Sequence, residues 1–185
     1  INQWEWFSEQ LHNLYHGLLD AQNLEKEMCI RKNLDTTLER EMSEVISDHQ
    51  YLMTQLGHEI DVLKNQLSEV SLSKAHYTDT LSYYLASYKE SFSLLENTKN
   101  VRDPEYHRRI SETGEAMQIM EHSITLLQEE LDHKEQTIKD ILRIVLITVS
   151  ILVVILAVYF VFLMFSRVIY PLKYLNNTIK KIISS

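Results

Sequence analysis

Residues 144–165 read IVLITVSILVVILAVYFVFLMF, 22 consecutive positions without a charge. A helix rising ~1.5 Å per residue reaches about 33 Å over this run, enough to cross a hydrocarbon core about 30 Å thick. The run therefore predicts a membrane-spanning helix over 144–166, and the rest of the chain divides around it: residues 1–143 before it and 167–185 after it.

Working upstream, the run is entered by a regular heptad. Ile110, Met117, Ile124, Leu131 and Ile138 occupy a positions; Thr113, Met120, Leu127, Lys134 and Ile141 occupy d positions. The stripe starts at Asp103-Pro104-Glu105, where an Asp cap precedes a proline at the first helical position and an acid in the first turn. No breaker lies between Pro104 and the span, which predicts one helix roughly 90 Å long.

Three further amphipathic stretches precede it. The first covers about 2–31, with Trp4, Phe7, Leu11, Leu14, Leu18, Ala21 and Met28 three and four apart. Asn33-Leu34-Asp35 reads as a turn and Thr36-x-x-Glu39 as a capping box opening the second stretch. That stretch carries Leu38, Met42, Val45, Leu52, Leu56, Leu63 and Val70, and Ser71 to Ser73 is a weak break. The third carries Leu81, Leu85, Tyr88, Phe92 and Leu95, and Asn97 to Asp103 is the clearest loop. With only 3 Gly and 2 Pro, the chain is short of turns. Four long helices on short loops predict an all-α fold, an antiparallel up-down four-helix bundle continuous with the transmembrane helix.

Charge gives this arrangement a direction. Residues 1–143 carry 14 Lys and Arg against all 26 Asp and Glu, net −12. The remainder carries Arg167, Lys173, Lys180 and Lys181 and no acid, net +4, which completes the −8 of the chain. Basic residues just past a span mark the cytoplasmic side, so residues 1–143 are expected outside and 167–185 inside. An acidic domain argues against nucleic acid as a partner. Cys29 is alone and makes no internal disulfide, so packing must hold the fold; it is expected as a small buried apolar group. The first residue, Ile1, is not an initiator Met, and the opening residues are not expected to be a signal peptide. The chain is expected to be the middle of a longer protein, with Trp4, Trp6 and Phe7 either an interfacial belt beside a missing first span or core aromatics.

Downstream of the span, Arg167-Val-Ile-Tyr-Pro171-Leu172-Lys-Tyr-Leu175-Asn-Asn-Thr-Ile179-Lys-Lys-Ile182 resembles the first helix of a HAMP domain. In that family a basic residue, an Ile and a Pro-Leu pair follow the last span, then Leu and Ile at helical spacing. Pro171 cannot donate to the ladder and disfavours helical geometry at Tyr170, so it is expected to uncouple the span from the next helix. Leu172, Leu175, Ile179 and Ile182 make a stripe for a parallel coiled coil and a homodimer, or else for an amphipathic helix on anionic lipid. A looser resemblance joins Ala21–Asp35, with its Glu25-Lys26-Glu27 triplet, and Gly114 to the helical bimodular sensor family; the chain is too short for that family's two bundles.

These resemblances imply the input part of a bacterial transmembrane receptor of the inner membrane. A two-component sensor histidine kinase is the first expectation and a chemoreceptor the second. A membrane-anchored tethering bundle is the rival class. Signal transmission would fall to Arg167, Pro171, Leu172, Leu175 and Ile179. The stimulus would be a small molecule or a periplasmic binding protein.

Polar residues on the apolar stripes mark the candidate site. Glu25, His49, Glu59 and Lys134 all fall there, and a buried charge must be paired or hydrated. Helix pairing through the loops puts Arg40, Arg108 and Arg109 near the height of Glu25. One reading is a structural ion-pair cluster. The sharper one is a ligand pocket at the membrane-distal end, with polar contacts from Glu25, His49, Tyr88, Arg108 and Arg109. His12 and His16 are four apart, but no acid or Cys completes a metal set. There is no phosphate loop and no nucleophile motif, so neither cofactor, metal nor catalytic residue is expected in this segment.

Overall fold

A computed structural model of the chain describes residues 3–33, 39–68, 76–98 and 101–183, with the side chains of 39–41, 168, 175 and 178–183 left aside. Outside this description lie Leu34-Asp35, the Thr36–Glu39 capping box, the break at Ser71 to Ser73, part of the Asn97–Asp103 loop, and the side chains of Arg40, Leu175, Ile179 and Ile182. The described residues are helical apart from a few at the helix junctions, and no strand occurs among them. The protein is all-α.

The helices are α1 (Gln3–Asn33), α2 (Glu39–Ser68), α3 (Tyr77–Asn97), α4 (Pro104–Met164) and α5 (Tyr170–Ile183). The chain divides into two compact units, Ile1–Glu135 and Gln136–Ser185.

In the first unit the apolar stripes turn inward, but in α2 the expected Leu52 and Glu59 are only half-buried and the next residues, Met53 and Ile60, are buried instead. In α1 the buried set is Phe7, Leu11, Leu14, Leu18, Ala21, Glu25 and Met28, alternating four and three. In α2 it runs through Val45, His49, Met53, Leu56, Ile60, Leu63 and Leu67. In α3 it runs through Thr78, Leu81, Leu85, Tyr88, Phe92 and Leu95, and in α4 through Tyr106, Thr113, Met117, Met120, Ile124, Leu127 and Leu131. Spacing near 3.5 residues keeps one face of each helix turned inward. Residues from all four helices belong to one core cluster. Phe7 lies inside it, and Trp4 and Trp6 pack against it.

The most extensive close backbone pairing is α1 with α2, followed by α2 with α3. Gly17 is one reason for the first. A Cβ placed there would lie 2.6 Å from Leu56 Cδ2, so any larger residue would force the buried Leu56 side chain to move.

The helix ends are tied as elementary chemistry requires. Asp103 accepts the Glu105 N–H at 3.0 Å and caps α4 just ahead of Pro104, as the sequence predicts. At the end of α3, Lys32 Nζ donates to the carbonyls of Leu95 and Glu96 at 2.6 Å and of Thr98 at 3.0 Å. A cation on orphan carbonyls at the negative end of a helix is favourable, and here it fastens α1 to the end of α3.

The α4 stripe turns inward as far as Leu131; Lys134 is half-buried, and Ile138 and Ile141 are 37% and 55% exposed. Glu59, also expected in the core, is half-buried, and burial raises its carboxyl pKa.

The second unit holds the apolar run, in a helix long and apolar enough to cross a membrane. Thr148 and Ser150 return their hydroxyls to the carbonyls of Ile144 at 2.9 Å and Leu146 at 2.8 Å, which satisfies both donors within the helix itself. After Met164 the ladder widens into a π-turn over Phe165–Ile169, where the Tyr170 N–H reaches back to the Phe165 carbonyl. In a regular α-ladder the Pro171 ring would press on the Arg167 carbonyl, and Arg167 lies in this turn. The expectation that Pro171 drives Tyr170 out of helical geometry is therefore corrected: Tyr170 stays helical at φ −64 and ψ −51, and the π-turn accommodates the proline instead.

Candidate functional site

Four polar residues on four different helices meet inside the first unit. Each sits on the apolar stripe of its helix, which is what carries it inward: Glu25 on α1, His49 on α2, Tyr88 on α3 and Thr113 on α4. Their exposures are 8%, 1%, 0% and 0%.

The bonds run in series. Tyr88 donates its hydroxyl to Glu25 Oε2 at 2.7 Å. Thr113 Oγ1 lies 2.7 Å from Glu25 Oε1. His49 Nε2 lies 3.0 Å from the Tyr88 oxygen. Tyr88 has one proton and gives it to Glu25, so its oxygen accepts from His49, which makes His49 the Nε2–H tautomer. The His49 ring stacks on Phe92, with centroids 3.5 Å apart and planes within 12°. Its Nδ1 is buried without a hydrogen-bond partner. Burial lowers the His49 pKa to about 4, so the ring is neutral at physiological pH.

Thr113 has a second acceptor. Its single hydroxyl proton lies between Glu25 Oε1 and the carbonyl of Ile110 on its own helix, 2.9 Å away. Only one of the two takes the proton at a time when Glu25 is a carboxylate. The bond between α1 and α4 therefore has an alternative within α4.

The Glu25 carboxylate meets these two hydroxyls and no Lys or Arg at ion-pair distance among the described residues. Its charge is felt nearby. Burial first, then Glu25, raises the Tyr88 pKa far above the phenol range. Cys29, one turn on along α1, is raised chiefly by burial and further by Glu25, so its thiol stays protonated. The Tyr106 hydroxyl beside Cys29 is buried without a partner at hydrogen-bonding geometry.

Two openings reach the network. A groove of about 390 Å³ between α1 and α4 is lined by Gln22, Glu25, Lys26, Cys29 and Ile30 from α1 and by Ile110, Gly114 and Met117 from α4. A cleft of about 220 Å³ between α2 and α3 reaches His49 and Phe92, flanked by Lys89 and Glu96. The hydrogen-bond series thus runs from one opening to the other.

Of the residues expected to form a pocket, the structure brings together Glu25, His49 and Tyr88. It does not bring in Arg108 or Arg109. Arg108 pairs with Glu105 at 2.5 Å, and Arg109 with Glu105 at 2.9 Å and Glu112 at 2.8 Å. Partners one turn away on the same helix engage both guanidinium groups, Arg108 exposed and Arg109 half-buried. Thr113 takes the place assigned to them. The sequence carries the signal for it, a hydroxyl at a d position of a stripe that is apolar apart from Lys134, but nothing that names Glu25 as its partner.

The positions assigned to transmission lie in the second unit: Arg167 in the π-turn, and Pro171 and Leu172 exposed on α5. His12 and His16 are exposed, their rings edge to face at 4.3 Å. No group of three or more metal-ligating side chains occurs among the described residues. Comparison of the chain with protein families, with curated proteins and with solved structures finds no match.

Proposed function

We propose that the chain is the input part of a dimeric bacterial transmembrane receptor, which senses a stimulus outside the cytoplasmic membrane and transmits it inward. The observation that carries this reading is α4. One helix without a break from Pro104 to Met164 holds both Thr113 of the buried network and the apolar run. A helix is stiff along its axis, so a displacement of about 1–2 Å at Thr113 is the kind of shift that such receptors pass on.

In this reading residues 1–143 form an up-down four-helix bundle. The ties of Lys32 to the last carbonyls of α3 support it, because they place the ends of α1 and α3 together. The apolar run spans the membrane, and 167–185 begin a HAMP-like switch in which the π-turn and Pro171 set the register of α5. The output is a histidine kinase, with a chemoreceptor hairpin as the second choice. The dimer is supported by Ile138 and Ile141, which continue the α4 heptad but lie exposed in the single chain.

Disulfide scanning in membranes tests the reading. Cys at 138 and at 141 should each cross-link two copies, while Cys at exposed Lys139 should not. Equal cross-linking at all three, or none at any, would count against a parallel dimer through this stripe.

A further inference from the structure

We propose that the groove between α1 and α4 binds an organic cation, an ammonium group on an apolar body, with the ammonium seated on Glu25 Oε1. This rests on the sensing function proposed above and names its ligand class.

The first ground is the unpaired charge. Glu25 is 8% exposed, and among the described residues it meets hydroxyls but no cation. A carboxylate so buried lacks most of its hydration, and hydroxyl donors replace only part of it. A cation brought to it gains more than at an exposed acid, because the attraction acts at lower dielectric. The second ground is the wall. Cys29, Ile30, Ile110 and Met117 offer apolar surface, and Gly114 leaves a gap, since a Cβ there would meet nothing within 4 Å. A volume of about 390 Å³ is within the range of roughly 300–1,000 Å³ usual for small-molecule sites.

Lys26 also lines the groove and opposes an incoming cation, but it is exposed and held to Gln22 at 3.0 Å. Water and salt screen its charge far more than that of Glu25.

The third ground is Thr113. A ligand N–H on Oε1 displaces its hydroxyl, which turns to the Ile110 carbonyl 2.9 Å away. No buried donor is orphaned, yet the bond from α1 to α4 is gone. Occupancy of the groove thus changes what holds α4.

The probes are 2-phenylethylamine, the neutral 2-phenylethanol and the anion 3-phenylpropionate, titrated calorimetrically against the whole chain in lipid nanodiscs. The amine should bind at least about tenfold more tightly than either other probe. Glu25→Gln should remove that preference. Gly114→Leu, which leaves Glu25 intact and fills the gap, should abolish binding. Amine binding should also slow maleimide labelling of Cys29. Equal affinity for amine and alcohol, preference for the anion, no binding at all, or amine binding unaffected by Gly114→Leu would each overturn the proposal. Cross-linking at Ile138→Cys separates the two readings. Amine binding with no dimer cross-link sinks the receptor and leaves the site; a dimer cross-link with no amine binding does the reverse.

Discussion

His49 is buried beside Tyr88 and Phe92 with a pKa lowered to about 4, against 6.5 in an unfolded chain. The depressed value means that the unfolded chain takes up a proton first as pH falls. The stability it contributes is complete above about pH 6.5 and is lost as pH drops toward 4, by about 3 kcal/mol over the full window. Urea midpoints of the chain in detergent between pH 4.5 and 7.5 should show this slope, and His49→Gln should flatten it; parallel slopes would refute it. The glycines separate in the same way. Ala at Gly114 meets open space, so the gain in helix propensity of about 1 kcal/mol stands alone. Ala at Gly17 gains the same but drives a Cβ to 2.6 Å from Leu56, itself 1% exposed, and overpacking of about 1–3 kcal/mol outweighs it. Thermal midpoints should rise for Gly114→Ala and fall for Gly17→Ala.

Among the elements, α4 and α5 are distinguished by what joins them. Two helical segments run through a π-turn that adds one residue to the ladder. Each residue inserted or removed rotates the downstream helix by about 100°. Pro171→Ala removes the ring that the turn accommodates, so the ladder should return to a regular α-helix and α5 should change the face it presents. Cross-linking from single Cys at Leu172, Lys173 and Tyr174 should then peak at a different position than in the parent. An unchanged profile would mean that the π-turn is held by something other than the proline. The α1–α3 tie belongs to this scale as well. Burial lowers the Lys32 pKa while Cys29 and Glu96 oppose the shift, and three carbonyls at the end of α3 receive its N–H groups. Lys32→Met keeps the stem and strands those carbonyls, at a cost on the order of 1–3 kcal/mol. Amide exchange should quicken in the last turn of α3 well before the centre of the helix.

At the scale of the molecule, the helices, their inward faces and the membrane-length run are legible in the sequence, because each is a property of spacing along one chain. Heptad periodicity places Glu25 and His49 inside, and Asp103-Pro104 starts α4, with no knowledge of neighbours. A four-point hydrogen-bond network is not a property of spacing. Glu25 could have met Arg109 or Thr113 by height alone; that Arg109 turns to Glu105 and Glu112 depends on side-chain reach along a helix surface. The proline at 171 announces a disturbance, but whether the backbone answers by leaving the helix or by widening it is settled by how the carbonyls of the preceding turn can be satisfied. Sequence by itself determined which face of each helix turns inward, because that face follows the helical period, although single positions such as Leu52, Glu59 and Lys134 lie at its margin. Tertiary structure alone decided which buried polar groups touch, because hydrogen bonds form over about 3 Å, finer than any repeat can specify.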